Sequence, residues 1–454
     1  MRILIYSYNY YPEPIGIAPL ITELAEGLVK KGHEVRVATG MPWYPQREIY
    51  EGYRGKIYLT EKIKGVTVQR SYLRICPKPS LIDRILMEVS FVATSFLQAL
   101  IGKRPDLVLL TVPGLPVSVP AVLLGWFYRS PIVLNLQDIL PDAAVKTGIL
   151  KNQLMISVFE QLEKFAYKHA TKISVIAEGF VDNLCQKGIP EEKMKLIPNW
   201  VDVNFIRPLP KENNEFRKTH HLQDKFVVMY SGNIARTQGI ETVINAAVRL
   251  RGVEDIAIVI VGEEKALEQL QRYEEKTLEE LLRYEEKALE DLQLEEGKAL
   301  EKLRLYKDTC KATNVTLLPF QPREKLPEML AAADVGLVVQ KSAVISFNMP
   351  SKIPVLLSSG RPILGSVPAT GTAARAIQKS GGGIVVPPED AGELVAAILD
   401  LYHNREKVKM LGEKSRQYAL ENYSREQALD RYQELFENVL SLGGELTTQD
   451  SSQA

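Results

Sequence analysis

Apolar and polar positions along this chain follow two alternating periods, and the switches between them set out its organisation. Short β-branched runs read as strands, and between them apolar residues recur at helical spacing. In the first half the runs are Ile3–Tyr8, Glu34–Ala38, Leu107–Thr111, Ile132–Gln137 and Lys172–Ile176. In the second half they are Phe226–Tyr230, Ala257–Val261, Val315–Leu318, Val335–Val339, Pro362–Gly365 and Gly383–Val386. Runs this apolar fit parallel sheets covered by helices on both faces. The segment 197–210, IPNWVDVNFIRPLP, has three prolines and no clear period, and marks a linker. The pattern therefore predicts an α/β protein of two Rossmann-like domains, 1–205 and 206–415, facing each other across a cleft. A terminal helix over 416–441 is expected to pack back on the first domain, with 442–454 as a disordered tail.

One stretch breaks the alternation. Residues 263–306 are four tandem copies of an 11-residue unit, beginning EEKALEQLQRY. Eleven residues in three turns keep Leu267, Leu278, Leu289 and Leu300 on one face of a nearly straight helix. Such an inserted helix would reach ~66 Å at 1.5 Å per residue, more than a small domain spans. It reads either as a duplicated surface helix or as a stripe for self-association through helix 263–306.

The two halves open alike. MRILIYSYNYYPEPIGI passes from a strand through Gly16 into a helix, and FVVMYSGNIARTQGI does the same through Gly232. The amino end of a helix presents unpaired N–H groups and a positive dipole end, which suits phosphate. Two such units, one per half, fit an enzyme that moves a group from a nucleotide donor to an acceptor.

Composition narrows the partners. Lysine plus arginine equals aspartate plus glutamate, 56 each, so charge gives no reason to expect nucleic acid. The three cysteines and five histidines show no metal-ligand spacing, so no metal or cofactor is expected. A strand begins at the first residues with no signal-peptide pattern, which points to the cytoplasm. The apolar run 85–101 contains Glu88 and is marginal for a spanning helix. It reads as a buried helix, or as a face resting on the inner surface of the plasma membrane, flanked by Lys78, Arg84, Lys103 and Arg104.

Five motifs then stand in order: NYYPEPIGI, PWYPQ at 42–46, PNW at 198–200, YSGNIARTQG at 230–239 and VVQKSAVISFNMPSK at 338–352. Together they resemble the WcaI-like glycosyltransferases of glycosyltransferase family 4. The resemblance implies a GT-B fold, a nucleotide-sugar donor, retention of anomeric configuration, no metal, and a lipid-linked sugar of exopolysaccharide assembly as acceptor. Gly16 would lie over the donor diphosphate and the acceptor. Gly232, Asn233, Arg236 and Gln238 form the second glycine loop, with Arg236 as a bidentate partner for diphosphate. Many relatives carry an arginine where Asn233 stands and a lysine where Gln238 stands, and two glutamates at the positions of Phe347 and Val355.

Lys352 is the best-placed single cation, in the first turn of a helix with Pro350 ahead of it and Ser351 as its cap. Gly262, Phe320 and Gln340 follow successive strands, and the resemblance implies that their loops surround the nucleotide base. Asp138, Asp142 and Glu178 are acceptor-side candidates, Asp138 and Asp142 for positioning or deprotonating a hydroxyl, with helix capping the competing role for Asp138 and Glu178. The reading is a retaining hexosyltransferase with Asp138, Arg236 and Lys352 as its catalytic groups. Its rivals are a nucleotide-sugar epimerase of the same fold and a degenerate scaffold working through its repeat helix.

Overall fold

The computed structural model describes residues 1–14, 16–112, 115–139, 142, 152–234, 237–262, 314–344, 347 and 349–450, with backbone alone at 81 and 442–450. The repeat segment 263–306 and Arg236 lie outside the described residues, as does 451–454 of the expected tail. The chain divides into two compact units, Met1–Trp200 with Glu426–Ala454, and Val201–Arg425.

The first unit is built on an eight-stranded sheet. Its strands are β1 (Arg2–Tyr6), β2 (Glu34–Gly40), β3 (Tyr58–Ile63), β4 (Val66–Ser71), β5 (Leu107–Val112), β6 (Ile132–Leu136), β7 (Lys172–Val175) and β8 (Met194–Leu196). Their order is β3-β4-β2-β1-β5-β6-β7-β8, and every neighbouring pair is parallel except the antiparallel hairpin β3–β4. The hairpin turns on Lys64 and Gly65, both at positive φ (45° and 89°), which suits a two-residue loop. Buried β-branched and leucine side chains fill β1, β5 and β6 on both faces, as a covered parallel sheet requires. Helices α1 (Ala18–Lys30), α2 (Leu81–Ala99), α3 (Ser118–Tyr128), α4 (Gln153–His169) and α5 (Glu178–Gln186) connect the strands. A capping box starts α2, with Ser80 and Asp83 exchanging side-chain-to-backbone bonds. Among the described residues no helix is long and apolar enough to cross a membrane. Helix α2 is also not a fully buried helix, because Ile82, Ile85, Leu86, Val89 and Leu97 are exposed.

The second unit carries a six-stranded, wholly parallel sheet in the order β11-β10-β9-β12-β13-β14. Its strands are β9 (Phe226–Ser231), β10 (Ile256–Gly262), β11 (Val315–Pro319), β12 (Val335–Val339), β13 (Ile363–Ser366) and β14 (Gly383–Val386). Its helices are α6 (Glu215–Thr219), α7 (Ile240–Arg249), α8 (Leu326–Ala332), α9 (Lys352–Ser358), α10 (Thr372–Ser380), α11 (Ala391–His403) and α12 (Arg405–Asn422). Two apolar clusters, one on each face of this sheet, form its core. An ion-paired polar group anchors the sheet's amino edge: Asp334 accepts from Arg217 at 2.7 Å and pairs with Lys211.

The final helix, α13 (Arg425–Asp450), belongs to the first unit. It is separated from α12 where Tyr423 and Ser424 pair with Val201 instead of continuing the helix. Leu429, Tyr432, Leu435, Phe436 and Val439 from α13 share one core with Ile3, Ile5, Leu24 and Trp200. The helices α1 and α13 meet at Gly27, where an added Cβ would fall 2.5 Å from Leu429.

Candidate functional site

In open α/β sheets, ligands bind beyond the carboxyl ends of the strands, where the strand order reverses. In the second unit that reversal lies between β9 and β12. The loop after β9 begins with Gly232, whose φ of 141° is a conformation that side chains resist. The segment after β12 leads through Met349 and Pro350 to Lys352, the first residue of α9.

These two segments converge. A Cβ built on Gly232 would lie 3.1 Å from Lys352 Nζ, so glycine leaves the room the ammonium occupies. Lys352 Nζ sits 3.6 Å from the ring centre of Tyr230, the residue before Ser231 on β9. It is buried and, among the described residues, has no hydrogen-bond partner. Burial pushes this amine down to about 7. Tyr230 Oη in turn donates to the Asn233 carbonyl at 2.7 Å and fixes the start of the loop.

Around this pair is a cavity of 490 Å³ lined on its polar side by Ser231, Gly232, Asn233, Gln238, Ser351 and Lys352. Its other wall is apolar, from Leu326 and Leu330 of α8 and from Met349, Val355 and Leu356. A buried cation without a counter-ion in a cavity this size is poised to take an anion.

Of the candidates read from sequence, Gly232, Asn233, Gln238, Ser351 and Lys352 thus come together. Gly262, Phe320 and Gln340 do lie at the carboxyl edge of the sheet but do not line this cavity. The Cβ direction of Gly262 is filled by Ile234, 2.3 Å away, so this glycine admits the packing of the loop. Phe320 is exposed, whereas Gln340 is buried with an unpartnered side-chain Nε2. Ser351 does not cap α9: it is itself helical (φ −60°, ψ −19°) and makes no capping bond. The turn begins one residue earlier, with Ile353 N–H bonded to the Pro350 carbonyl. Tyr230 and the α8 leucines were not legible in advance. Tyr230 follows a plain apolar run, and its partner Lys352 is distant in sequence.

In the first unit the order reverses between β1 and β5. Gly16 follows β1 at a φ of 71°, with Tyr44 its nearest neighbour at 3.8 Å. The same loop is held by Glu13, which is buried and accepts from the backbone N–H groups of Trp43 and Tyr44, both at 2.9 Å, and from Asn9 Nδ2 at 2.7 Å. The fully buried Arg70 donates to the Tyr11 carbonyl, pairs with Glu61, and stacks on Tyr53 at 4.9 Å. The PWYPQ motif is therefore a partner of the first loop, joined to it through Glu13.

The acceptor-side candidates separate. Asp138 follows β6 and bonds the N–H of Ile139 at 2.8 Å; burial raises its carboxyl above the usual range. Asp142 is engaged by Asn183 (2.8 Å) and Lys187 (2.9 Å), and Lys187 also binds Glu163 (2.7 Å), so this acid ties helices together. Glu178 is half-buried in the first turn of α5. The PNW motif is structural here: Asn199 bonds Gln137 at 2.7 Å, and Trp200 Nε1 bonds Glu23 at 2.7 Å.

Two parallel-sheet domains, each with a glycine loop at its switch point and one with an unpaired lysine there, define a nucleotide-dependent group transferase of the GT-B type. Family comparison agrees: residues 16–200 match the model described as glycosyl transferase 4-like domain, and residues 211–418 that of glycosyl transferases group 1. The chain belongs to the glycosyltransferases built from these two domains. It is 29% identical over 406 residues to WcaI of Escherichia coli (strain K12), which carries the description colanic acid biosynthesis glycosyl transferase, covering 88% of this chain and 91% of that protein. It is 25% identical over 344 residues to WbjE of Pseudomonas aeruginosa, described as a glycosyltransferase, covering 75% and 74%. In fold it is similar to HepE of Anabaena, crystallised with UDP, at a TM-score of 0.61 and 17% identity over 97% of this chain and 100% of that one.

Proposed function

We propose that this glycosyltransferase moves a hexosyl group, with retention, from a nucleotide-diphosphate sugar to a lipid-linked or growing exopolysaccharide acceptor. The observation that carries the donor half is Lys352, a buried amine beside Gly232 with no partner among the described residues. A diphosphate in the cavity supplies the missing counter-charge. As the anomeric carbon–oxygen bond breaks, its electron pair stays on the phosphate oxygen, where Lys352 stabilises it. The acceptor oxygen bonds the anomeric carbon and its proton passes to a base; within the first unit, Asp138, whose carboxyl burial raises above the usual range, is the candidate for that role. Arg236 is a further candidate for the diphosphate, from its place in the loop sequence.

The acceptor half is supported by similarity to WcaI, and the exposed apolar side chains of α2 favour a position at the inner face of the plasma membrane. No metal enters this reading, so turnover unaffected by a chelator is expected. Self-association through the repeats 263–306 rests on their leucine stripe; sedimentation of the protein lacking 274–306 tests it, and an unchanged subunit count refutes it.

The experiment is a thermal-shift panel of UDP, GDP, ADP and their sugar conjugates, UDP first because HepE binds it. A ligand at about 100 times its Kd stabilises by ~2.7 kcal/mol. One selective shift identifies the donor for a transfer assay. No shift with any of them refutes the donor site.

A further inference from the structure

The outer layer of the first unit departs from the usual pattern. A helix covering a sheet normally turns a polar face to water. Helix α3 has none: it buries Ala121, Val122 and Leu124 and exposes Leu123 (40%), Trp126 (58%) and Phe127 (68%). It lies between α2 and α4, with Tyr128 Oη donating to the Leu100 carbonyl at 3.0 Å and Trp126 edge-on to His169 at 5.2 Å. Both neighbours extend the same surface, α2 through Ile85 and Val89, and α4 through Leu154 (75%) and Val158. Between α2 and α4 runs a 550 Å³ groove walled by apolar side chains such as Val92, Val119 and Phe159. A contiguous apolar face of this kind marks an interaction site rather than a water-facing surface.

Charge decides what covers it. Residues 78–129 hold five basic side chains, Lys78, Arg84, Lys103, Arg104 and Arg129, and all five are exposed. The same stretch holds three acids, while α4 adds exposed Lys164 and Lys168 against one exposed acid, Glu160. Asp83 is spent on capping α2, Asp106 is bound by Arg2 at 2.6 Å, and Glu88 lines the groove. The rim is therefore positive around an apolar centre that carries an exposed tryptophan, the arrangement of a protein lying on an anionic bilayer. Helix α2, with Asp83, Arg84 and Glu88 in its first half, is not apolar enough to cross one.

We propose that the face formed by α2, α3 and α4 docks on an anionic lipid bilayer, with Trp126 and Phe127 inserted among the acyl chains. The inference deepens the membrane part of the function proposed above, and locates it on named side chains.

The test uses the full chain and vesicles of phosphatidylcholine with about 30 mol% phosphatidylglycerol, against phosphatidylcholine alone, at about 0.1 M salt. Trp126 reports directly, because Trp43 is half-buried and Trp200 is buried, so its emission dominates any change. Expected are cosedimentation with the anionic vesicles, a blue shift of emission, and quenching by brominated acyl chains. Trp126→Gln with Phe127→Gln should weaken binding about tenfold or more, as should Arg84→Glu with Lys103→Glu. Both pairs are exposed, and each variant must keep the nucleotide-induced thermal shift of wild type. Equal binding by wild type and the Trp126/Phe127 variant, or no binding by wild type, overturns the proposal. So does a concentration-dependent dimer that the same variant abolishes without vesicle binding, which would make the face a protein interface. Vesicle binding uses no acceptor. A soluble acceptor would therefore refute the lipid-linked function and leave the docking surface standing, and the reverse outcome would do the opposite.

Discussion

Lys352 should lower the stability of the protein it serves, and replacing it should show by how much. Its amine is pushed from 10.5 to about 7 by burial. At about 1.4 kcal/mol per pH unit, such a shift corresponds to about 5 kcal/mol against folding when the folded lysine is charged. Lys352→Met keeps the length and the packing and removes the charge, so the variant should be up to about 5 kcal/mol more stable than wild type at pH 6. The unfolded chain holds this proton up to 10.5 and the folded chain releases it near 7. Between those values the unfolded state binds more protons, so wild-type stability recovers as pH rises. The advantage of the variant should therefore shrink by roughly 2–3 kcal/mol between pH 6 and pH 9. Urea unfolding of both proteins across that range measures it, since all other titrations cancel in the difference. The variant should also lose the thermal shift given by the nucleotide that protects wild type. A stability difference independent of pH, or a variant less stable than wild type at pH 6, would refute the burial of an unpaired amine.

Proton uptake gives a second view of the same group: nucleoside diphosphate binding at pH 8 should take up close to one proton and almost none at pH 5.5, read by calorimetry in buffers of different ionisation enthalpy. Gly232→Ala should weaken nucleotide binding about tenfold and destabilise by about 1–2 kcal/mol, because its φ of 141° is strained for alanine and its Cβ would crowd Lys352 Nζ at 3.1 Å. Glu88 is pushed up from 4.5 to about 7 by burial, so the folded chain holds a proton the unfolded chain has lost. Glu88→Gln should then stabilise by up to about 3 kcal/mol above pH 7, and by nothing below pH 4.5, in the same urea series. Asp334→Ala leaves the buried Arg217 without its carboxylate and should cost about 3–5 kcal/mol while sparing nucleotide affinity.

The strands of the second unit were legible because each is a short β-branched run between helical periods, and β9 to β14 fall where those runs stand. The hairpin β3–β4 was passed over although Lys64–Gly65 is a turn signal, because β3 is an edge strand whose polar residues alternate with half-buried ones. Strand β8 spans only Met194–Leu196, too short to carry a period. At the site, Gly232 and Lys352 could be picked out singly, since a glycine after a strand and a lysine opening a helix are local signals. Their contact could not, nor could the unpaired state of the amine, because both depend on the strand order that sets β12 beside β9. Ser351 shows the converse: a serine ahead of a helix reads as a cap, yet here the turn already includes it.

Helix α13 gives the chain a topology with a consequence for synthesis. The second unit is an insertion: the chain leaves the first unit after Trp200 and returns to it at Glu426. A ribosome that has made the first two hundred or so residues has therefore not made a whole domain. The wall of the core supplied by Leu429, Tyr432, Phe436 and Val439 emerges last, after the entire inserted unit. The nascent first unit must wait with Ile3, Ile5 and Leu24 uncovered, while the second can close behind it. A premature stop just before α13 would leave a finished second unit attached to an unfinished first one, so the damage of a C-terminal truncation would be felt at the N-terminus.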